Sequence, residues 1–354
     1  MNMFRFLPGD EFSFSLFSTW DWNDEMDAEL ARLGVDRWTV FSGYKPGQMK
    51  RLRESSAAFA CLIDQLKPDV VYVNTMNGMG LLFSETAKKH GVPVRIVHSH
   101  NSAFGSGSAA AKAIAHSLGK RTMGESATAR LAVSRDAGIY LFGNRAFEVI
   151  NNGVDTSRFK YDFEAGQKLR GQYGIPDDAL LFGSVGRFEQ AKNPLFQLRV
   201  FAEILKSTPD AYYFMVGDGD MRMQVEAIID GIGVGNRIIM PGYLSDPAQV
   251  YSALDCFLMP SIHEGLAMVC VEAQCAGCGI VCSEALPPEA QITDALITVP
   301  LVEGQSIWAK RALEVAHASR NRIEYADRVA KAGFDVEGTA REMANFFRGG
   351  GALS

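Results

Sequence analysis

The chain has 354 residues, of which 47% are hydrophobic and 21% charged, with a net charge of −6. That length and composition suit a globular protein with two sizeable cores, and the acidic balance excludes a general nucleic-acid binder, so any phosphate site has to be a local basic spot. No run approaches the roughly 18 apolar residues of a membrane-spanning helix, and 1–10, with one arginine and a Pro-Gly break, does not read as a secretory signal; the expected location is the cytosol.

From the N-terminus, the short apolar runs 12–17, 37–41, 69–74, 92–98, 130–133 and 147–150 read as strands. Between them, 23–33, 49–66, 80–90 and 109–120 read as helices. Strands alternating with helices of this length predict a parallel sheet covered on both faces, with right-handed crossovers setting the post-strand loops along one rim. Such a domain opens with a strand and a glycine-rich turn, whereas Met1-Asn2-Met3-Phe4 reads as the middle of its first helix. The expectation is a first domain lacking its first strand, and a start placed too late is favoured over a protein that departs from the pattern.

The run 92–98 ends in His98-Ser99-His100-Asn101. Histidines two apart on an extended chain point the same way, but no third metal ligand is evident nearby, and a structural role is the ordinary one for such residues. Asn151-Asn152-Gly153-Val154-Asp155 is a turn cluster. Beyond it a second alternating series places strands at 180–185, 211–216, 237–240, 255–259 and 279–282, and 334–347 reads as a late amphipathic helix. The expected architecture is α/β: two Rossmann-like, doubly wound domains, 1–155 and 156–332, facing a cleft, followed by a C-terminal segment 333–354.

Chemistry concentrates at the ends of the second series. In Gly186-Arg187-Phe188-Glu189-Gln190-Ala191-Lys192-Asn193-Pro194, the glycine permits a tight exit from the strand. Arg187, a planar fork, and Lys192, a point charge, suit a diphosphate clamp, though two surface cations on a solvated loop would look the same. Asn193 is expected to cap the helix that Pro194 begins. Val216-Gly217-Asp218-Gly219 is a weak G-x-G that does not complete a dinucleotide fingerprint; Pro241-Gly242-Tyr243-Leu244 is a similar turn. The segment 260–272, P-S-I-H-E-G-L-A-M-V-C-V-E, reads as strand exit, turn and helix start, with Glu264 and Glu272 eight positions apart. Free amides at such a helix start receive phosphate, and a carboxylate at either end holds hydroxyls. Glu272, flanked by Val269, Val271 and Ala273, needs a partner. Cys270, Cys275, Cys278 and Cys282 have gaps like part of an iron–sulfur loop, but buried, reduced thiols are the better reading.

The E-x7-E pattern with its flanking P-S and G-L, the G-R-x-x-x-x-K-N loop and the N-G-V-D turn followed by Phe159 closely resemble the GT-B fold retaining glycosyltransferases of family 4, in its exopolysaccharide and capsular branch. The similarity runs from about Leu30 to the C-terminus. The resemblance implies that Arg187 and Lys192, with the amides of Gly265, Leu266 and Ala267, bind the donor diphosphate and sugar. It implies that Glu272 binds the ribose, that Gly217, Gly242 and Tyr243 lie on the nucleotide side, and that Glu264 lies on the sugar side. It implies that a strand-end histidine, His100 or His98, faces the donor sugar; Asn101 favours His100. It further implies a final helix that crosses back to the first domain, and an upstream strand and Gly-Gly loop that this chain lacks.

The expected function is transfer of a sugar from a nucleotide-sugar donor, a UDP-sugar, to a hydroxyl of a glycan or lipid-linked acceptor in surface polysaccharide biosynthesis. No metal or cofactor is expected, because the nucleotide-sugar is a substrate; peripheral association with the inner membrane face is. The alternative is a donor-binding but inactive partner subunit. A nucleotide-sugar epimerase or phosphorylase on the same fold is disfavoured by the G-L-x-x-x-x-x-E arrangement.

Overall fold

The structure, a computed structural model, describes residues 2–21, 27–101, 109–264 and 267–349. The chain divides into two compact units, one formed by 1–152 with 336–354 and the other by 153–335. No described helix is long and apolar enough to cross a membrane.

In the first unit a 3-10 turn, Asn2–Phe6, leads to β1 (Ser15–Ser18), α1 (Asp27–Arg32), β2 (Asp36–Thr39), α2 (Gln48–Leu66) and β3 (Val70–Thr75). There follow α3 (Leu81–Lys89), β4 (Val94–Ser99), α4 (Ala109–Met123), β5 (Ala129–Ala132), α5 (Arg135–Phe142) and β6 (Glu148–Val149). The start is thus not the middle of a long helix: Met3, Phe4 and Phe6 pack with Leu7, Phe12 and Phe14 against Ile96 and Leu131. Phe12 and Phe14, expected within the first strand, precede it. Among the described residues the strands form two parallel sheets, β3-β4-β5-β6 and a separate β1-β2 pair. The expected late helix is Val336–Phe347, with Ala340, Met343, Ala344, Phe346 and Phe347 buried, the i, i+3, i+4 spacing of one helix face. It closes the same cluster, Phe347 meeting Phe12 and Tyr72 edge-on, each at 5.8 Å between ring centroids. Arg348 then grips both carboxylate oxygens of Glu11, at 2.5 and 2.6 Å.

The second unit holds one six-stranded parallel sheet. Its strands are β7 (Leu181–Val185), β8 (Tyr212–Val216), β9 (Ile238–Gly242), β10 (Cys256–Met259), β11 (Gly279–Cys282) and β12 (Leu296–Thr298), in the order β12-β11-β10-β7-β8-β9. The short edge strand β12 was not apparent in the sequence, since three residues carry no readable period. Helices α6 (Thr156–Phe159), α7 (Phe163–Gln172), α8 (Pro194–Ser207), α9 (Arg222–Ile232), α10 (Ala248–Ala253), α11 (Met268–Cys275), α12 (Gly304–His317) and α13 (Tyr325–Val329) complete it. Alternate residues of one strand enter opposite cores: Leu181, Phe214, Phe257 and Ile280 belong to one, Phe182, Tyr213, Leu258 and Val281 to the other. Side chains alternate across a strand, so this division is the mark of a sheet covered on both faces, and it explains the unbroken apolar runs. The cysteines serve this packing. Cys270, Cys275, Cys278 and Cys282 are buried, free and in one core, and burial pushes the thiols of Cys278 and Cys282 up to about 11.

The strand order places the site. From β7 the chain winds outward through β8 to β9; from β10 it winds the other way through β11 to β12. The β7/β10 junction is therefore a topological switch point, where the loops leaving the carboxyl ends diverge and open a crevice.

Candidate active site

The loops that leave β7 and β10 meet at this switch point. Lys192 reaches both oxygens of Glu264, at 2.8 and 2.7 Å, and the Ser261 hydroxyl donates to the same carboxylate at 2.5 Å. The Glu264 side chain is only 3% exposed, that of Lys192 27%. A carboxylate buried so deeply requires its countercharge and hydrogen bonds. Main chain ties the two loops together, the Ile262 N–H donating to the Ala191 carbonyl at 2.8 Å. Arg187 behaves differently: its side chain is 79% exposed and pairs with Glu189 at 2.5 Å, a bond that raises the pKa of its guanidinium. One cation is thus locked in place and the other stands at the surface.

The next loops are knitted into the first. The Gly186 N–H donates to Val216, Phe188 to Asp218, and Gly217 to Gly242, at 3.0, 2.8 and 2.9 Å. Gly217 has φ 134°, and a Cβ there would stand 1.9 Å from the Gly186 carbonyl oxygen. Only glycine allows this approach, so the G-x-G turn serves loop packing whatever else it does. Beside it Tyr243 is 75% exposed. The expected side-chain cap by Asn193 is absent. Asn193 is left-handed, at φ 54° and ψ 49°, and its side chain makes no cap bond; capping needs an extended residue whose side chain turns back over the first amides, and here the 3-10 turn Gln190–Lys192 feeds directly into α8.

Beyond β10, Ala267 precedes α11 with φ 51° and ψ 61°, a conformation that costs a non-glycine residue roughly 1 kcal/mol or more and tends to gather at ligand sites. Gly265 and Leu266, expected at the diphosphate, lie outside the described residues. Glu272, one turn into α11, accepts a 2.8 Å hydrogen bond from the Tyr251 hydroxyl. Burial raises its carboxyl to about 7, against the opposing pull of the Tyr251 hydroxyl and of Arg158. α11 is pinned from behind by Gln274, which donates to Ala290 at 2.7 Å and accepts from the Ile292 and Thr293 amides at 3.0 and 2.8 Å.

In the first unit the rings of His98 and His100 lie 4.4 Å apart between centroids, tilted at 43° to one another. His98 is 3% exposed and its Nδ1 shares a 2.6 Å hydrogen bond with the Tyr72 hydroxyl. His100, past the end of β4 and less enclosed, donates Nε2–H to Asn74 Oδ1 at 2.6 Å. Burial lowers His98 to about 3, helped by the neighbouring His100, and lowers His100 to about 4. Both rings are therefore neutral at physiological pH. Ser261, Tyr251 and Asn74 were not singled out in the sequence, although each holds a residue that was. Ser261 alone left a trace, as the serine of the P-S pair.

Comparison with known proteins is consistent with this geometry. Residues 166–333 match the family model described as glycosyl transferases group 1, and residues 8–149 match that of a glycosyl transferase 4-like domain. The chain is 28% identical over 268 residues to EpsF of Bacillus subtilis (strain 168), named as a glycosyltransferase, covering 74% of this chain and 70% of that protein. It is 33% identical over 137 residues to the 2-deoxystreptamine glucosyltransferase of Streptomyces kanamyceticus, but this spans 38% of this chain and only 35% of that enzyme. Among solved structures, Anabaena Alr3699/HepE in complex with UDP and glucose superposes with a TM-score of 0.72 at 18% identity, covering 95% of this chain and 100% of that one. At that identity the likeness speaks for the fold, two Rossmann-like domains of the GT-B class.

Proposed function

The chain belongs to the group 1 glycosyl transferases, with a glycosyl transferase 4-like first domain, and from that premise we propose that this glycosyltransferase is a retaining enzyme that uses a nucleotide-sugar, a UDP-sugar, as donor. The observation that carries this reading is the switch-point cluster: a fixed Lys192 on a buried Glu264, with Arg187 exposed beside it. An ammonium has three N–H donors. Glu264 engages the ammonium through both oxygens, and a donor remains for a phosphate oxygen. Arg187 exchanges its surface partner Glu189 for the planar, bidentate contact that phosphate offers. Together they neutralise the departing diphosphate, so the reading requires no metal or cofactor.

In this scheme the acceptor hydroxyl attacks the anomeric carbon from the face the diphosphate leaves. Its proton passes to the departing phosphate oxygen, the carbon–oxygen bond to phosphate breaks, and configuration is retained. The protein contributes position and electrostatics. Glu272 holds the ribose hydroxyls, Gly217, Gly242 and Tyr243 border the nucleotide, the amides from Gly265 to Ala267 meet the diphosphate, and Glu264 lies toward the sugar. His100, rather than the enclosed His98, faces the donor sugar; a neutral ring suits positive charge developing at the anomeric carbon, where an imidazolium would oppose it. The acceptor is a glycan or lipid-linked sugar of a surface polysaccharide, met by peripheral association with the inner membrane face.

The test is donor binding and sugar release across UDP-, GDP- and ADP-sugars for wild type and Glu272→Ala. Selective binding with slow release, lost in the variant, is expected. Binding without turnover in the presence of acceptor extracts would indicate a donor-binding partner subunit instead. No binding to any nucleotide-sugar overturns the reading.

A further inference from the structure

Tyr251 is the most constrained tyrosine near the site. It is fully buried. Its ring lies against Phe159 and Phe257 at 6.0 and 5.7 Å, and its carbonyl accepts from Arg322 at 2.6 Å. The hydroxyl therefore has one place to go, Glu272 Oε2 at 2.8 Å. The other oxygen, Oε1, has no hydrogen bond to any described residue and is not fully enclosed. If filling space were the only requirement, an apolar residue at 272 would serve at lower cost, because a half-satisfied carboxylate beside a core is unfavourable. Other charges facing Glu272 are Arg158 of α6 and Asp246 ahead of α10, which pair with each other at 3.0 Å, and Cys275 on α11 itself, whose thiol burial keeps protonated.

We infer that Tyr251 is a positioning residue of the nucleotide subsite: its buried phenol orients Glu272 and favours its carboxylate form, so that Oε1 is presented as an acceptor to the vicinal hydroxyls of the donor ribose. This rests on the ribose role given to Glu272 above. Without the donated hydrogen bond, burial would leave the carboxyl protonated at neutral pH, and a protonated carboxyl offers a hydroxyl a poorer acceptor. The coupling makes nucleotide affinity depend on a proton near neutrality.

The experiment measures UDP binding to the full chain from about pH 6 to about pH 9 for wild type, Tyr251→Phe and Glu272→Gln, with thermal melts as a control. Referring each affinity to Glu272→Gln at the same pH cancels the ionisation of UDP itself. Relative to that reference, wild-type affinity should rise with pH, with its midpoint near 7, and level off toward the alkaline end of the range. Tyr251→Phe should bind about tenfold more weakly near pH 7, with its rise displaced upward so that the deficit shrinks at high pH. An equal deficit at every pH would reduce Tyr251 to packing and overturn the inference, as would no deficit. Should Tyr251→Phe fail to fold, 2′-deoxy-UDP on wild type reads the same coupling: its pH dependence should be flatter than that of UDP, and an identical one overturns the proposal. Failure of the ribose reading looks different, since Glu272→Gln would then bind UDP as tightly as wild type.

Discussion

The two units share an alternation of strands and helices but enclose their sheets to different degrees. In the second unit every residue of β10 and β11 is buried, and the two cores are separated by one continuous sheet. In the first, no residue of β1 or β2 is fully buried, and these strands stand apart from the four-stranded sheet. Charge divides them too. Residues 1–152 and 336–354 hold 19 Lys and Arg against 17 Asp and Glu, whereas 153–335 hold 16 against 24. The cations proposed for the diphosphate therefore sit in the more acidic unit, so it is local geometry and not the unit's overall field that must bind an anion there. Sheet enclosure and loop knitting go together, and the precise cluster is found where both are complete.

The sharpest way to break this contrast is to hollow each sheet. Phe257→Ala on β10 should cost about 3–5 kcal/mol in urea denaturation. Phe17→Ala on β1, where the ring is half-buried against Phe59 and Phe83, should cost about 1–2 kcal/mol; equal losses would erase the distinction. Between them in size is a pH effect. The Glu272 carboxyl titrates near 7 in the folded chain, above its usual 4.5. The folded state then binds more protons than the unfolded one between these values, so its contribution to stability falls as pH rises through that window and levels off above it. Denaturation midpoints for wild type and Glu272→Gln should show the variant losing less stability between about pH 5 and about pH 8, by at most on the order of 3 kcal/mol. The smallest change in stability belongs to Arg187→Ala, within about 0.5 kcal/mol because its ion pair is exposed. Sugar transfer should nonetheless fall at least tenfold, which a transfer assay would check; a variant with full activity would detach Arg187 from the chemistry.

The legibility of the chain followed the same division. Apart from the three-residue edge strand β12, the strands of the second unit were plain as unbroken apolar runs, because both faces are covered, and Gly279–Cys282 was placed to the residue. In the first unit the opening run was placed too early, since Phe12 and Phe14 are as apolar as a strand yet pack from an irregular segment. Lys192 and Glu264 were recognised separately by motif; that they touch depends on the sheet order, which spacing does not encode. Tyr251, Asn74 and Ser261 act through neighbours brought close by folding, and Asn193 failed as a cap because a backbone conformation, not a residue preference, decides capping.

The division of the chain also has a consequence for synthesis. The second unit is one contiguous stretch, but the first is built from 1–152 and 336–354, with Arg348 clasping Glu11 and Phe347 seated on Phe12. On the ribosome the domain begun first is therefore the one completed last: its opening strands must wait, with apolar surface uncovered, until the final helix emerges after the whole second unit. Domains otherwise fold as they are made, and here the interval of waiting is set by the length of the inserted unit, which makes the nascent first half the stage at which a chaperone has most to protect.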